Sequence, residues 1–284
     1  MGTIDQQNIS NGGETKGTAV VTGASSGLGA IFADRLASRG HDLILVARRE
    51  DRLIALEKRL NSQYGISAKA VVADLTANAV VDLLIRKITD DNSITMLVND
   101  AGAASMKPIA SIDDAELHTM IHLNITALTR LTLAVLPGFK KRDHGTIINI
   151  GSSLSVYTPP NTAIYSATKA YVMNFTLGLQ QELVGTNVVA QLVLPAKTAT
   201  EIWENAGVPL ASMDQTFVMT AENCVDAALS GLDQGESATF PSVEDYKLWL
   251  NFEESRRHLF AATQTGKPAS RYHVRLPEGN GSTR

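Results

Sequence analysis

The sequence predicts a single α/β domain built on a doubly wound parallel sheet. Three observations carry that prediction. Six short β-branched runs alternate with helical segments from residue 18 onward, the first run feeds directly into a glycine-rich turn, and no linker or internal repeat divides the 284 residues. Length alone would allow about two domains at ~150 residues each, but α/β folds often run to ~250 residues as one.

The expected strands are Thr18–Thr22, Asp42–Val46, Ala68–Ala73, Thr95–Asn99, Gly145–Gly151 and Asn187–Leu194. Each is rich in Val, Ile or Leu and bounded by Gly, Asp or Asn, as strands buried on both faces should be. Between them the apolar period changes to 3.6. Arg52–Leu60 puts Leu53, Leu56 and Leu60 on one face; Asp113–Leu136 does the same with Leu117, Met120, Ile121, Leu128, Leu131 and Val135. Repeated strand–helix–strand units impose parallel pairing, with helices covering both faces of the sheet. Residues 1–16 read as a flexible leader, 17–265 as the domain and 266–284 as a tail containing Pro277, Gly279 and Gly281. The least periodic internal stretch is Thr200–Thr220, which reads as a mobile insertion.

Composition narrows the function classes. Lysine and arginine total 25 against 29 aspartates and glutamates, a net charge of −4. That balance argues against nucleic-acid binding, which needs a basic surface. Lys140, Lys141 and Arg142 read as a solvated helix end. A lone cysteine, Cys224, excludes an internal disulfide and agrees with a reducing, cytoplasmic setting. No signal core or membrane-spanning segment is read from the sequence. The longest uncharged stretch, the 24 residues from Gly145 to Thr168, holds two adjacent prolines and many hydroxyls. It suits a buried polar cleft better than a bilayer. His118 and His122 share a helical face but have no third ligand, so no metal is expected. Cys224 reads as core, and Glu253–Arg257 as a solvated face.

After the first strand comes Gly23-Ala24-Ser25-Ser26-Gly27-Leu28-Gly29, then a helix. This is where a dinucleotide pyrophosphate is bound in such sheets: glycines let the backbone approach, and the helix N-terminus supplies N–H donors. The second strand ends Val46-Ala47-Arg48-Arg49. An acid at that point would hold a ribose 2′-hydroxyl; two guanidinium forks suit a 2′-phosphate instead. NADP(H) is therefore the expected cofactor, ahead of NAD(H). Farther on, Tyr165 and Lys169 lie four apart on one helical face. An ammonium beside a phenol is expected to lower its pKa from about 10, making it an acid/base near neutrality. Asn124 lies within an apolar helical run, where an unpaired amide would cost about 1–3 kcal/mol.

With its T-G-x-x-x-G-x-G turn and Y-x-x-x-K pair, the sequence resembles the short-chain dehydrogenase/reductase family, in its shorter, non-extended branch. The resemblance runs from roughly Gly17 to Thr200. It implies a Rossmann-type sheet of about seven strands and an oxidoreductase that moves a hydride between nicotinamide and a carbonyl or alcohol. By that resemblance Tyr165 is the acid/base, Lys169 tunes it and holds the nicotinamide ribose, Ser152 polarises the carbonyl, with Ser153 the alternate if the loop is shifted by one residue, and Asn124 joins a proton relay. The implied cofactor contacts are Gly23, Ser25, Ser26, Gly27, Leu28, Gly29, Arg48, Arg49, Asp74, Leu75, Asn99, Ala101, Gly102, Tyr165, Lys169, Pro195, Thr198 and Thr200. Asp74 is matched to the adenine, and Thr198 and Thr200 to the nicotinamide amide. Two positions depart from the family pattern: Asp100 stands for the second asparagine of N-N-A-G, and Ala196 for the glycine of P-G-x-x-x-T.

The expected substrate is a ketone with apolar surface, reduced under a lid at 200–220 carrying Ile202, Trp203, Val208, Leu210, Met213, Phe217 and Met219. A homodimer or homotetramer is expected through the helices Asp113–Leu136 and Asn161–Val184. The competing readings are a nucleotide-sensing protein without turnover and a sugar-nucleotide epimerase. The epimerase would require a different glycine spacing and a larger C-terminal region.

Overall fold

The structure is a computed structural model describing residues 16–274; residues 1–15 of the expected leader and 275–284 of the expected tail lie outside the described residues. One compact unit ends at Ser242 and a second begins at Val243. The first holds β1 (Thr18–Thr22), α1 (Gly27–Ser38), β2 (Asp42–Ala47), α2 (Glu50–Tyr64), β3 (Ala68–Val72), α3 (Asn78–Thr89), β4 (Ile94–Asn99), α4 (Asp114–Ile121), α5 (Leu128–Arg142), β5 (Gly145–Ile150), α6 (Ala163–Glu182), β6 (Val188–Val193), α7 (Ile202–Asn205), α8 (Ala221–Asp233) and β7 (Ala238–Thr239). The second holds α9 (Lys247–Thr263), where Trp249 is buried and stacks on Phe252.

All seven strands pair in parallel, in the order β3-β2-β1-β4-β5-β6-β7. The six expected strands form within a residue or so of their expected ends. The seventh, two residues long, escaped the sequence pattern because it is too short to show alternation. The order reverses direction between β1 and β4, which opens a crevice beyond their carboxyl ends. Both crevice-forming loops, after Thr22 and after Asn99, carry residues singled out in the sequence.

Two apolar layers sandwich the sheet. On one side Phe32, Leu36, Leu53, Leu60, Val225 and Leu229 of α1, α2 and α8 pack on Val21, Leu43 and Leu45. On the other, Leu84, Ile88, Leu131, Phe139 and Leu179 of α3, α5 and α6 pack on Val20, Leu97 and Ile147. Strands buried on both faces have no room for alternation, which is why they read as unbroken apolar runs.

The expected helix Asp113–Leu136 runs to Arg142 and is interrupted by a π-helical turn at His122–Ala127. Such a turn inserts one residue into the helical register and is common at functional sites. The segment Asp114–Arg142 is long enough to cross a membrane and holds a stretch apolar enough by composition, with a mean hydropathy of 1.3, yet half of that stretch is buried inside the protein. Its basic end is not simply solvated, as the sequence suggested: Arg142 donates to the Ile94 carbonyl and to Asn92 Oδ1, both at 2.8 Å, and lies over the Phe139 ring. A guanidinium can satisfy the carbonyl at a strand start while its stem covers an aromatic face.

Phe139 is 1% exposed, and its ring lies so close over Gly145 that a Cβ there would stand 2.2 Å from it. The ring thus locks the end of α5 to the start of β5. Phe139→Ala is expected to destabilise the protein by about 3–5 kcal/mol. The check is a lower urea midpoint at unchanged slope; a loss below about 1 kcal/mol would remove this contact from the list of core locks.

Candidate active site

The cleft occupies about 1540 Å³ above the carboxyl ends of the central strands. Small-molecule sites are usually ~300–1,000 Å³, so this one has room for a dinucleotide and a substrate beside it. Its wall includes Gly23, Ser25, Ser26, Gly27, Leu28, Arg48, Arg49, Leu75, Ala101, Gly102, Ser152, Tyr165, Lys169, Pro195, Thr198 and Thr200. Four expected site residues stand behind the wall: Gly29, Asp74, Asn99 and Asn124.

Each of those four has a structural task. A Cβ on Gly29 would lie 2.6 Å from the Gly23 carbonyl, so this glycine lets α1 enter close beneath the turn. Asp74 accepts from the backbone N–H and hydroxyl of Thr76, which holds its carboxyl below the usual range and shapes the loop after β3. The Asn99 side chain, expected at the cofactor, is turned away from the cleft. Its amide donates to Asn149 Oδ1 on β5 at 2.9 Å and to Thr132 Oγ1 on α5 at 3.1 Å, between the sheet and the helix layer. A side chain at the end of β4 that faces the helix layer cannot also face the crevice. Asn124, on the π-helical turn, donates to the Ala103 carbonyl and to Thr168 Oγ1 and accepts from Ala103 N–H, all at 2.9 Å. Its side chain therefore pins the loop after β4 to α6.

The glycine-rich turn fits a pyrophosphate. Gly23 and Gly27 have φ of +73° and +55°, the left-handed region in which a side chain is strained. They bend the chain into α1, whose first residues Gly27 and Leu28 line the cleft, at the helix end whose N–H groups have no partner within the helix. At the other end, Arg49 donates to Ser25 Oγ at 3.2 Å and also to Ser26 Oγ. Arg48 and Arg49 thus bring two guanidinium groups to the end of β2, where a 2′-phosphate could be held.

The proton-handling end is built on β5 and α6. Ser152 follows β5, and its Oγ accepts from Leu154 N–H at 3.1 Å, capping a short turn. Ser155 donates to the Lys169 carbonyl at 2.8 Å, tying that turn to α6. Lys169 is 5% exposed; its Nζ donates to the Ile150 carbonyl at 2.8 Å and stands 5.9 Å from the Tyr165 ring centre. Burial pulls the Lys169 ammonium down to about 8, while the Asp100 charge acts the other way. Burial also pushes the Tyr165 phenol up to about 12; a hydrogen bond with Ser152 opposes this and the Asp100 charge adds to it. The expected lowering of Tyr165 by Lys169 is therefore not what governs this phenol. Desolvation dominates, since a phenolate in a closed site loses its hydration, and what opposes it is the Ser152 hydrogen bond.

Asp100 tucks under the turn. Its Oδ2 lies 2.8 Å from where a Gly29 Cβ would be, and Gly29 N–H hydrogen-bonds to it. Burial pushes its carboxyl up to about 7, opposed by the Lys169 charge and that N–H. Replacing an amide by an acid here puts a titratable group between the phosphate turn and the lysine. At Ala196 the carbonyl accepts from Thr198 Oγ1, and the preceding Pro195 carbonyl accepts from Ser153 N–H at 2.8 Å.

The segment from 200 to 220 forms α7 and two single turns at Leu210–Ser212 and Gln215–Phe217. Ile202, Trp203, Phe217 and Met219 reach the cleft; Val208, Leu210 and Met213 do not. Trp203 Nε1 donates to the Thr198 carbonyl at 2.8 Å, and a backbone bridge joins Thr198 to Met219. The sequence reading missed Glu201, which accepts from Arg49 and Arg52 at 2.6 Å each. No spacing rule could reveal it, because its partners are about 150 residues earlier in the chain. Among the described residues no cluster of three or more metal-ligating side chains exists, and His118 and His122 stack on each other instead.

Comparison with known proteins agrees with this geometry. The family model for short chain dehydrogenase matches residues 17–209. A very-long-chain 3-oxoacyl-CoA reductase of Anas platyrhynchos is 35% identical over 65% of this chain and 60% of its own length. A human protein named inactive hydroxysteroid dehydrogenase-like protein 1 is 33% identical over 65% of this chain and 56% of its own length. The chain thus spans less than two thirds of these two relatives. Among solved structures, a short-chain dehydrogenase from Sphingobium yanoikuyae in complex with NADPH superposes with a TM-score of 0.87 at 39% identity, covering 90% of this chain and all of that one. A bulky-bulky ketone specific alcohol dehydrogenase from Comamonas testosteroni gives 0.83 at 34% identity, covering 91% and 99%. With its seven-stranded parallel sheet, its glycine-rich turn and its tyrosine–lysine pair in one cleft, the chain belongs to the short-chain dehydrogenase/reductase family of oxidoreductases.

Proposed function

We propose that this protein is an NADP(H)-dependent reductase of ketones with apolar surface. The observation that carries the reading is the convergence of Tyr165, Ser152 and Lys169 on one end of a cleft whose other end presents Arg48 and Arg49. When bound, the nicotinamide supplies the hydride that reduces the carbonyl carbon. The Ser152 hydroxyl orients the carbonyl oxygen, and Tyr165 gives that oxygen its proton, converting C=O to CH–OH. A phenol held at about 12 remains protonated near neutrality, which is the form that reduction consumes. Lys169, held at about 8, is charged below that pH and donates to the ribose hydroxyls. The NADPH complex of the Sphingobium relative supports the cofactor assignment. For the substrate, support comes from the ketone specificity named for the Comamonas enzyme and from the apolar wall of Met106, Met120, Ile202, Trp203 and Phe217.

Tyr165→Phe removes only the proton donor. Reduction of a bulky ketone should fall by about 10²–10⁴-fold, the usual worth of a positioned acid, while NADPH still quenches the protein's tryptophan fluorescence. Near-native turnover would refute the mechanism. NADPH binding by the native protein with no turnover on any ketone would favour the silent, nucleotide-binding alternative.

Replacing Arg48 and Arg49 together by alanine should weaken NADPH by about 1.5–3 kcal/mol, the worth of charge-assisted hydrogen bonds, and NADH much less. Equal losses in titrations of the two cofactors would exclude the 2′-phosphate assignment.

The pH dependence follows from Lys169. Its ammonium loses a proton near 8 instead of the ordinary 10.5. The value of kcat/KM for NADPH, which reports the free enzyme, should therefore be full below that pH and decline as pH rises through it. A profile flat to pH 10 would show that the charge on Lys169 is not needed.

A further inference from the structure

Apart from the proton-transfer end, the most fully built charged arrangement in the cleft is the contact of Glu201 with Arg49 and Arg52. Glu201 Oε2 accepts from Arg49 Nη1 and Oε1 from Arg52 Nη1, each at 2.6 Å. The two guanidinium groups hold the Glu201 carboxyl down to about 2, so it is ionised at every working pH. Arg49 meanwhile grips Ser25 and Ser26 of the glycine-rich turn through Nε and Nη2. One carboxylate oxygen thus faces each arginine, and the arginine nearer the turn already bridges two hydroxyls.

The contact joins the two rims of the crevice. Arg49 and Arg52 lie at and just inside the start of α2, while Glu201 follows β6 and begins the segment that carries Trp203 and Phe217. The rims come close nearby, since Thr200 Cγ2 lies 3.3 Å from where a Gly27 Cβ would stand. A carboxylate bound between guanidinium forks uses the same donors that a phosphate monoester would use. Two anions cannot share Arg49 Nη1 without repelling each other. The ion pairs are partly exposed, with side-chain exposures of 40–45%, so they are weak enough to be exchanged for a more highly charged phosphate.

We propose that Glu201 is a specificity-determining residue that acts through Arg49, as an internal competitor for the nucleotide 2′-phosphate. It occupies Arg49 and Arg52 until that phosphate displaces it, and so sets the margin by which 2′-phosphorylated nucleotides are preferred. Displacement also frees the start of the 201–220 segment, coupling arrival of the correct cofactor to the substrate wall. The inference rests on the NADP(H) reading above. A nucleotide without the phosphate has nothing to displace, so its affinity does not depend on Glu201.

The experiment is calorimetric titration of the full chain with adenosine 2′,5′-bisphosphate and with AMP, in the native protein, Glu201→Gln and Glu201→Asp. Glu201→Gln should bind the bisphosphate roughly fivefold more tightly, the scale of exposed ion pairs, and AMP as the native protein does. Glu201→Asp, which keeps the charge, should return the bisphosphate affinity toward native. Unchanged or weaker bisphosphate binding in Glu201→Gln, an equal gain for AMP, or loss of both ligands would overturn the inference, the last by showing a merely structural tie. Native protein that binds the two nucleotides equally would instead overturn the NADP(H) reading itself.

Discussion

The cleft depends on how the parallel pair β1 and β4 is held at its carboxyl end. Thr22 Oγ1 donates to the Val98 carbonyl at 3.2 Å and accepts from the backbone N–H groups of Asp100 and Ala101 at 3.0 and 3.1 Å. One hydroxyl, 1% exposed, therefore satisfies three groups at the place where the strands part. Left unpaired in such a site, each would cost about 1–3 kcal/mol. The bond sets the spacing between the phosphate turn and the loop after β4, and with it the width of the crevice.

A second set of buried polar bonds carries that geometry across to the chemistry. Asn99 of β4 donates to Asn149 of β5, which donates to Thr176 of α6 at 3.0 Å. Asn124 ties the loop after β4 to Thr168, one residue before Lys169. Lys169 returns to the carbonyl of Ile150 at the end of β5. The helix bearing the tyrosine and lysine is thus cross-linked to two strands and to the crevice loop. Such networks are directional, so they fix register where apolar packing alone would tolerate sliding.

The electrostatics of the site follow from enclosure. Asp100, Tyr165 and Lys169 share one buried region, and desolvation is the largest influence on each. It drives all three toward their neutral forms, while the attraction between Asp100 and Lys169 resists. An asparagine at position 100, as in the family pattern, would leave Lys169 without that counter-charge. Aspartate keeps the lysine more basic, at the expense of a carboxyl that titrates near neutrality. It also sits under the N-terminus of α1, where an anion is favoured by the unpaired N–H groups.

Much of this was legible in the sequence because it is local. Strands buried on both faces must be apolar throughout, the turn after Thr22 must be glycine-rich if a phosphate is to approach the backbone, and Tyr165 and Lys169 must share a face because they are one helical turn apart. Those constraints act within a few residues, so sequence alone determined the fold class and picked out site residues most of which line the cleft. The tertiary structure decided what depends on residues far apart in the chain. It placed Asn99 in the sheet and not in the cleft, turned Asn124 onto a π-helical turn as a brace, made burial and not Lys169 the main influence on Tyr165, and brought Glu201 to Arg49 across about 150 residues. Spacing cannot encode these outcomes, since which side chains meet, and how much water they lose, is set only when the sheet and its two helical layers close around them.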